Sequence, residues 1–542
     1  MVDWAFVLSN SVWLVGLAIL LACASLAGYA RSNRRLSLKE AWHSMAGNGW
    51  VRLGGLLFCV GMGLSSSTWW VRGLWALLCL TVLYEWWRAA KRGMLTADYG
   101  LLQHNPPTQR YALSTQHSAL STQRVAGWLV RTELLWLALL SPFFIFPTPA
   151  STLALFGLPA LWIARRAAHG RFLPRTPLDW LLALMSIMVL VSLFATFDMS
   201  LSLGKITLLL FGIGLYYAVV EWVDRRERLA QAVGAYMMAG AGLGVVGLLG
   251  TDWVGKFPAL AQVAGQLPPL LQRLAGEESG FNANIVGGAL LFIVPLQLAV
   301  TGWLWTSSPV VRRLGWLRLG ASLCVALAVG TLLLTQSRNA LISLAIGVAF
   351  LLWLAVRRAR LPLALGATLA VVIIIFVGPQ QVVANLSTSL GLIPGDVANP
   401  GTAASRLEIW SRALYGIEDF TFTGMGMGTF SHVMPVLYPG SSFVSGRDIG
   451  HAHNQFLQAG LDLGLPGLIA FMSTWLVAAT LAWATWRRSS DSWGRALSAG
   501  IMASLLCAFL FGLTDSVVMV AKPGFIFWAL LALLVALYNF EF

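Results

Sequence analysis

Two histidines stand two residues apart in Gly450-His451-Ala452-His453-Asn454-Gln455, the one closely spaced histidine pair in the chain. An imidazole with an accepting nitrogen can take a proton from a hydroxyl, so this pair is the first candidate for general-base chemistry. Phe456, Leu457, Leu461 and Leu465 follow at helical spacing, and Asp462, Gly464, Pro466 and Gly467 lead into a long apolar run. That pattern predicts His453 near the N-terminus of a helix, at the edge of an apolar segment. A solvated, idle loop histidine is the plain alternative.

Guanidiniums come next. Arg338 lies in Thr335-Gln336-Ser337-Arg338-Asn339 between two apolar runs, which puts its charge in a tight turn at membrane depth. Such a charge is costly without an anion. It either snorkels to lipid headgroups or grips phosphate oxygens with its planar fork. Arg406 follows a possible cap, Ser405, at the start of an amphipathic stretch over 405–417, and its plain reading is an ion pair with Glu408 or Glu418. Arg273 precedes Phe281-Asn282-Ala283-Asn284, where Asn282 and Asn284 either cap the next helix or bond to a sugar. Gly424, Gly426 and Gly428 imitate a phosphate-binding loop but lack the Lys-Ser/Thr that follows in one, so a flexible turn is expected. The outer face has no Asp-x-Asp pair, and the chain has no His-Glu-x-x-His and no Cys-x-x-Cys. No metal site and no other cofactor is indicated, although Glu277, Glu278, Asp448 and Asp462 could still gather in space.

The elements that must hold these groups are membrane spans. The chain is 58% hydrophobic and 11% charged, with a mean hydropathy of +0.74, far from the roughly 25% charge of soluble domains. Many of its 25 tryptophans sit at span edges, as Trp69, Trp70, Trp86, Trp87, Trp316 and Trp486 do, in the manner of an interfacial belt. The net charge of +14 is spread as short clusters between apolar runs, which speaks for cytoplasmic loops and against nucleic acid. All five cysteines lie in apolar stretches and suggest no external disulfide. The apolar run at 11–30 has Asp3 before it and Arg31, Arg34 and Arg35 after it, the charge order of a retained span with its N-terminus outside.

With about 20 apolar residues per crossing, the fold class expected is an all-α polytopic membrane protein with about fourteen or fifteen transmembrane helices and a large helical outer loop. The basic clusters from Arg31 to Arg487 and Arg488 all fall on one side when those spans are threaded in order, which makes the other side extracytoplasmic. Residues 1–92 form an N-terminal three-span segment, and 93–126 a polar linker with the repeat Ala-Leu-Ser-Thr-Gln that need not fold. Residues 127–542 form a block of twelve spans with outer loops at 251–283 and 380–462; the second loop should contain helices of its own, as at 405–417. Cations left on or near the outer face, among them Lys205, Arg273, Arg338, Arg406 and Lys522, run against the positive-inside bias.

The pattern resembles the O-antigen ligase and O-antigen polymerase superfamily of bacterial envelope glycosyltransferases. Its hallmark is a His followed by Asn, Ser or Gln, nine variable residues, Gly, two residues, and then Gly, Thr or Tyr. His453, Asn454, Gly464 and Gly467 meet every fixed place, and Asp462 stands where an acidic residue is common. Phe281-Asn282-Ala283-Asn284, Ser337-Arg338, and Ser405-Arg406 with Trp410 are similar to further family landmarks, in family order.

The resemblance implies a metal-independent, inverting glycosyltransferase of the GT-C type, with a twelve-helix core in the bacterial inner membrane. It implies a donor glycan on undecaprenyl diphosphate, and an acceptor hydroxyl on a lipid A core or another glycan at the periplasmic face. His453 would be the base, and Arg338 would hold the diphosphate. His451, Asn454, Asn282, Asn284 and Asp462 would line the donor and acceptor. Where many members carry Arg before the Phe-x-x-Asn stretch, this chain has Glu277 and Glu278, so Arg273 or Arg406 would supply the second diphosphate ligand. A chain polymerase and a protein O-oligosaccharyltransferase fit the same pattern. A flippase for lipid-linked glycans is the rival of another class; charges gathered at one rim, with no internal repeat, favour the enzyme.

Overall fold

The computed structural model describes residues 4–34, 49–91, 120–146, 148, 151–251, 281–307, 315–377, 400–439, 449–519 and 522–541. Among these the protein has helices and no strand, with one isolated bridge, Thr251 to Phe281. Helices are what a bilayer permits, because every backbone N–H and C=O of a spanning segment must be satisfied inside it. Among the described residues, eight helices are long and apolar enough to cross a membrane, or up to ten if two bent pairs each count as one span. Shorter apolar helices, Gly49–Ser65, Val71–Tyr84 and Asp179–Ala195, accompany them. The protein is thus an all-α, multi-pass membrane protein.

By its packing the chain falls into two compact units. Unit 1 comprises Met1–Leu229, Trp410–Thr485 and Val518–Phe542, and unit 2 comprises Ala230–Ile409 and Trp486–Val517. Unit 1 begins with α1 (Trp4–Arg34), α2 (Gly49–Ser65) and α3 (Trp69–Lys91). Helices α1 and α2 touch through their glycines: a β-carbon on Gly16 would collide with the backbone of Phe58, and one on Gly61 with that of Trp13. Close approach of this kind is how helices associate where no hydrophobic gain separates protein from lipid. Helix α1 is also tied to the rest of the unit. Ser25 donates to the carbonyl of Pro177 at 2.6 Å, Tyr29 to Asn539 Oδ1 at 3.0 Å, and Ser473 to the carbonyl of Ala18 at 3.0 Å.

Of the expected linker, residues 93–119 lie outside the described residues, and Leu120 opens α4 (Leu120–Arg131). A 61° bend separates α4 from α5 (Glu133–Ile145). There Glu133 forms a bidentate pair with Arg165 of α6 (Gly157–His169), Nε to Oε2 at 2.8 Å and Nη2 to Oε1 at 2.5 Å. Helices α7 (Asp179–Ala195) and α8 (Met199–Trp222) follow, and α8 packs along α5 and the C-terminal helix.

Unit 2 is built from most of α9 (Arg226–Gly250), α10 (Ala283–Leu290), α11 (Val294–Thr306), α12 (Gly315–Leu334), α13 (Arg338–Ala355) and α14 (Arg360–Val377), with α18 (Ser492–Gly512) packed on α11 and α13. A 40° break between α10 and α11 frees carbonyls inside the unit. Tyr236 donates to one of them, that of Phe292, at 3.1 Å, as a buried acceptor requires.

Among its described residues, the segment 380–462 holds helices, as expected. Helix α15 (Pro400–Asp419) covers the amphipathic stretch, and α16 (Phe430–Leu437) follows. Tyr438 donates to Asp419 Oδ2 at 2.5 Å, joining the ends of the two; partial burial and then this carboxylate raise the phenol above its ordinary pKa. Helix α17 (Gln455–Arg488) spans 34 residues, about 50 Å if straight. It is broken at Gly464, which has φ +67° and ψ 179°, so that Gln455–Leu463 is a separate short segment before the span proper. Helix α19 (Phe525–Glu541) completes unit 1.

Candidate functional site

His453 stands at a corner of the backbone. Its φ is +47°, a left-handed value uncommon for a residue with a β-carbon. The next residue caps α17: Asn454 Oδ1 accepts from the N–H groups of Phe456 at 2.9 Å and Leu457 at 3.1 Å. Asparagine at an N-cap does this by preference, so His453 is at a helix N-terminus, as its spacing predicted. The oxygen of Asn454 is thereby engaged with backbone. His451 turns toward its neighbour, with Nδ1 accepting from the N–H of His453 at 3.1 Å and the two ring centroids 4.3 Å apart.

Between the two histidines, Ala452 is fully buried and pinned on both sides. Its N–H donates to Gln458 Oε1 at 2.9 Å, and its carbonyl accepts from the indole N–H of Trp410 at 3.0 Å. A left-handed residue costs of order 1–3 kcal/mol and persists only where its surroundings over-determine it. Trp410 and Gln458 supply that determination to His453.

Gln458 carries the connection inward. Its Nε2 donates to Asp462 Oδ1 at 2.9 Å, and Lys205 Nζ of α8 lies 3.3 Å from Asp462 Oδ2 and 3.4 Å from Oδ1. The N–H of Gly428 adds a fourth contact at 3.4 Å. Asp462, expected to line the donor or acceptor, is instead 1% exposed. A carboxylate at such depth is tolerated when a cation and hydrogen bonds compensate it, and all of these are present. Lys205 also gains its explanation, since this cation, expected to stand against the positive-inside bias, is the partner of Asp462.

The glycine run beside this pair is no loose turn. Gly424, Gly426 and Gly428 have φ values of +69°, +94° and +82°. A β-carbon on Gly424 would lie 2.6 Å from the Leu461 carbonyl oxygen, and one on Gly426 2.8 Å from Thr196 Cα. Met425 N–H donates to the same Leu461 carbonyl at 2.7 Å. The ribbon is wedged between the α7–α8 corner and the short segment of α17, and it delivers the Gly428 N–H to Asp462.

Unit 2 gathers a second set of candidates. Arg338 is the first residue of α13, after Ser337 at its N-cap and Gln336 at φ +49°. Thr335 Oγ1 accepts from the N–H of Ser337 at 3.3 Å, and both residues are buried. Asn282 caps α10, its Oδ1 accepting from the N–H of Asn284 at 2.9 Å, so of the two readings offered for this residue the cap is realised. One turn on, Gly287 lies under the Arg338 turn: a β-carbon there would be 3.1 Å from Thr335 Oγ1 and 3.4 Å from Ser337 Cβ. The start of α10 and the start of α13 thus share one end of the unit. Arg406 lies in the first turns of α15. Arg273, Glu277, Glu278 and Asp448 lie outside the described residues.

Among the described residues Gln336 and His453 are the two non-glycine positions with positive φ. One is two residues before Arg338 and the other is the candidate base. Sequence reasoning missed Gln458 and the Lys205–Asp462 pairing. A signal for the first was there: Asn454, Gln458 and Asp462 are spaced by four in a segment whose one other polar residue is Gln455, which places them on one face. Nothing local pointed to Lys205, 257 residues away from its partner.

Residues 323–472 match the family described as O-Antigen ligase. The matched segment contains Arg338, Arg406, Trp410, His451, His453, Gln458 and Asp462, and leaves out Lys205, Asn282 and Asn284. No curated protein matches the chain.

Proposed function

The chain belongs to the O-antigen ligase superfamily, and from that premise we propose that it is an inverting, metal-independent glycosyltransferase. It moves a glycan from undecaprenyl diphosphate to a sugar hydroxyl, at the extracytoplasmic face of a bacterial inner membrane. The observation that carries the reading is the coincidence of strain and motif: left-handed backbone at Gln336 and His453 falls beside the arginine and on the histidine that the chemistry requires. Strain of this kind clusters at functional positions.

The steps balance simply. The imidazole of His453 takes the proton of the acceptor hydroxyl, and the oxygen attacks the anomeric carbon from the face opposite the diphosphate. The bond from that carbon to the phosphate oxygen breaks, and its electron pair leaves with the diphosphate. Arg338 stabilises the charge that grows there, with Arg406 or Arg273 as a second cation, and such groups act more on the transition state than on the ground state. General-base help of this kind is worth about 10²–10⁴-fold. His451 holds the His453 backbone through its Nδ1.

The test is transfer by purified protein in liposomes holding a defined lipid-linked donor, with mass spectrometry of the product. Wild type should transfer without ATP or an ion gradient and should keep its rate in EDTA. His453→Ala and Arg338→Ala should each abolish product while expressing normally, and Arg338→Lys should not rescue, because an ammonium lacks the fork. Near-normal turnover by His453→Ala would remove the assigned base. A rate lost in EDTA and restored by Mg²⁺ would remove metal independence. Movement of unmodified donor across the bilayer, with no product, would make the protein a flippase. Supplying lipid A core, glycan and peptide acceptors in turn separates ligase from polymerase and from protein glycosylation.

A further inference from the structure

We infer that unit 1 holds a second site, for an anionic phospholipid, in the leaflet opposite His453. The inference rests on a cavity of about 910 Å³ lined by Tyr29 and Arg31 of α1, Trp162 of α6, Arg175 before α7, Trp180 of α7 and Tyr217 of α8. Its place in the membrane follows from the two helices that run past it. The C-terminal end of α7 meets the glycine ribbon at Thr196, whereas the cavity surrounds its N-terminal end, and a 17-residue helix is about 25 Å long. On α8, Lys205 pairs with Asp462 while Tyr217 lines the cavity, twelve residues or about 18 Å along the axis. Against a hydrocarbon core of about 30 Å, cavity and candidate base are at opposite rims.

The charge at the cavity suits an anion. Its one carboxylate, Asp179, is already engaged by three donors: Thr176 N–H at 2.9 Å, Thr176 Oγ1 at 2.5 Å and Tyr217 Oη at 3.0 Å. Neither Arg31 nor Arg175 has a carboxylate within ion-pair distance among the described residues. Two guanidiniums against one carboxylate leave a net positive mouth, and planar forks match phosphate oxygens. Basic pockets between helices at a membrane surface are suited to phospholipid headgroups.

The way in suits a lipid more than a soluble anion. Trp180, Ile187, Leu190 and Phe194 are 68%, 54%, 61% and 91% exposed and form one stripe of α7 together with exposed Ala183. Trp180 and Ala183 also line the cavity, so it opens sideways onto the apolar stripe and an acyl chain can follow. The far wall is α1, where Gly28 lies beneath the Trp180 indole, with a β-carbon there 3.1 Å from Nε1. The N-terminal span thus acquires a purpose that the glycosyltransferase reading does not supply, and the site stands whether or not that reading does.

Native mass spectrometry of the purified full chain tests it, with titration by phosphatidylglycerol, phosphatidylethanolamine or inorganic phosphate. One phosphatidylglycerol per chain should be retained, in preference to phosphatidylethanolamine, and millimolar phosphate should not displace it. The Arg31→Gln/Arg175→Gln variant should lose retention by about tenfold or more, as loss of charge-assisted contacts requires. Arg31→Lys/Arg175→Lys, which keeps both charges, should retain the lipid more weakly than wild type and more strongly than the Gln pair; it carries the comparison if the Gln pair fails to fold. Equal retention of the two phospholipids, or retention unchanged in the Gln pair, overturns the inference. Displacement by inorganic phosphate would make the occupant a soluble anion and overturn it as well.

Discussion

Asp462 of the short α17 segment and Lys205 of α8 offset each other's charge across 3.3 Å, their side chains 1% and 13% exposed. Asp462→Asn leaves the Lys205 ammonium without its counter-charge, and breaking a buried pair by one partner costs about 3–5 kcal/mol. The Lys205→Met/Asp462→Asn variant removes both charges and should recover most of that loss, because coupled residues are not additive. Thermal unfolding in detergent checks the order: wild type, double variant, single variant. Gln458 sits one step closer to His453, the base of the proposed reaction. Gln458→Leu frees the N–H of Ala452, so turnover should fall about tenfold or more while KM for the donor changes little, since Gln458 is fully buried and meets no substrate. A KM effect with kcat intact would assign it a binding role instead. The Asn454, Gln458, Asp462 spacing was legible in the sequence. That Asp462 turns inward was not, because a carboxylate on a helix face says nothing of whether solvent or a lysine opposes it.

At the scale of elements, the ribbon from Gly424 to Gly428 and the short segment of α17 support one another. Gly426→Ala forces a β-carbon into φ +94° and to within 2.8 Å of Thr196 Cα. The strained region and a backbone clash together should cost about 2 kcal/mol or more, read as a lower unfolding midpoint with transfer reduced in proportion to folded protein. An unfolding midpoint equal to wild type would mean the ribbon is looser than its contacts. Three glycines spaced by two are plain in the sequence and predict a flexible turn; they form a turn, but a packed one. What makes the turn rigid is Thr196, Leu201 and Leu461, none of them adjacent in sequence. Helix existence, by contrast, was well announced: the amphipathic stretch at 405–417 lies within α15, although that helix starts at Pro400 and leaves Ser405 inside it and not at its cap, and His453 stands just before α17.

For the whole molecule, the N-terminal span is joined to the unit that carries His453. Hydrogen bonds from Ser25 to Pro177, from Tyr29 to Asn539 and from Ser473 to Ala18 are each worth about 1 kcal/mol. Deleting residues 1–119 should therefore lower the unfolding temperature of the remainder, by an amount equivalent to about 3 kcal/mol from these bonds. A truncated protein that unfolds at the wild-type temperature would show the span to be a passive addition. The sequence treated residues 1–92 as a separate three-span segment because a polar stretch comes after them; hydropathy reports where a chain enters lipid but carries no information on which helix it meets there.

By itself the sequence determined the class of the protein and the histidine motif on which the proposed function rests. A bilayer demands uninterrupted apolar runs with satisfied backbones, and the His453-to-Gly467 pattern is local, so both are written in consecutive residues. Only the tertiary structure decided that Asp462 faces Lys205, that Trp410 and Gln458 hold Ala452, and that α1 closes a cavity with α7 and α8. Apart from Gln458 and Ala452, which are six positions apart, those contacts join residues dozens to hundreds of positions apart, and their partners are selected by packing and by the cost of leaving a buried polar group unmatched, which no stretch of sequence states.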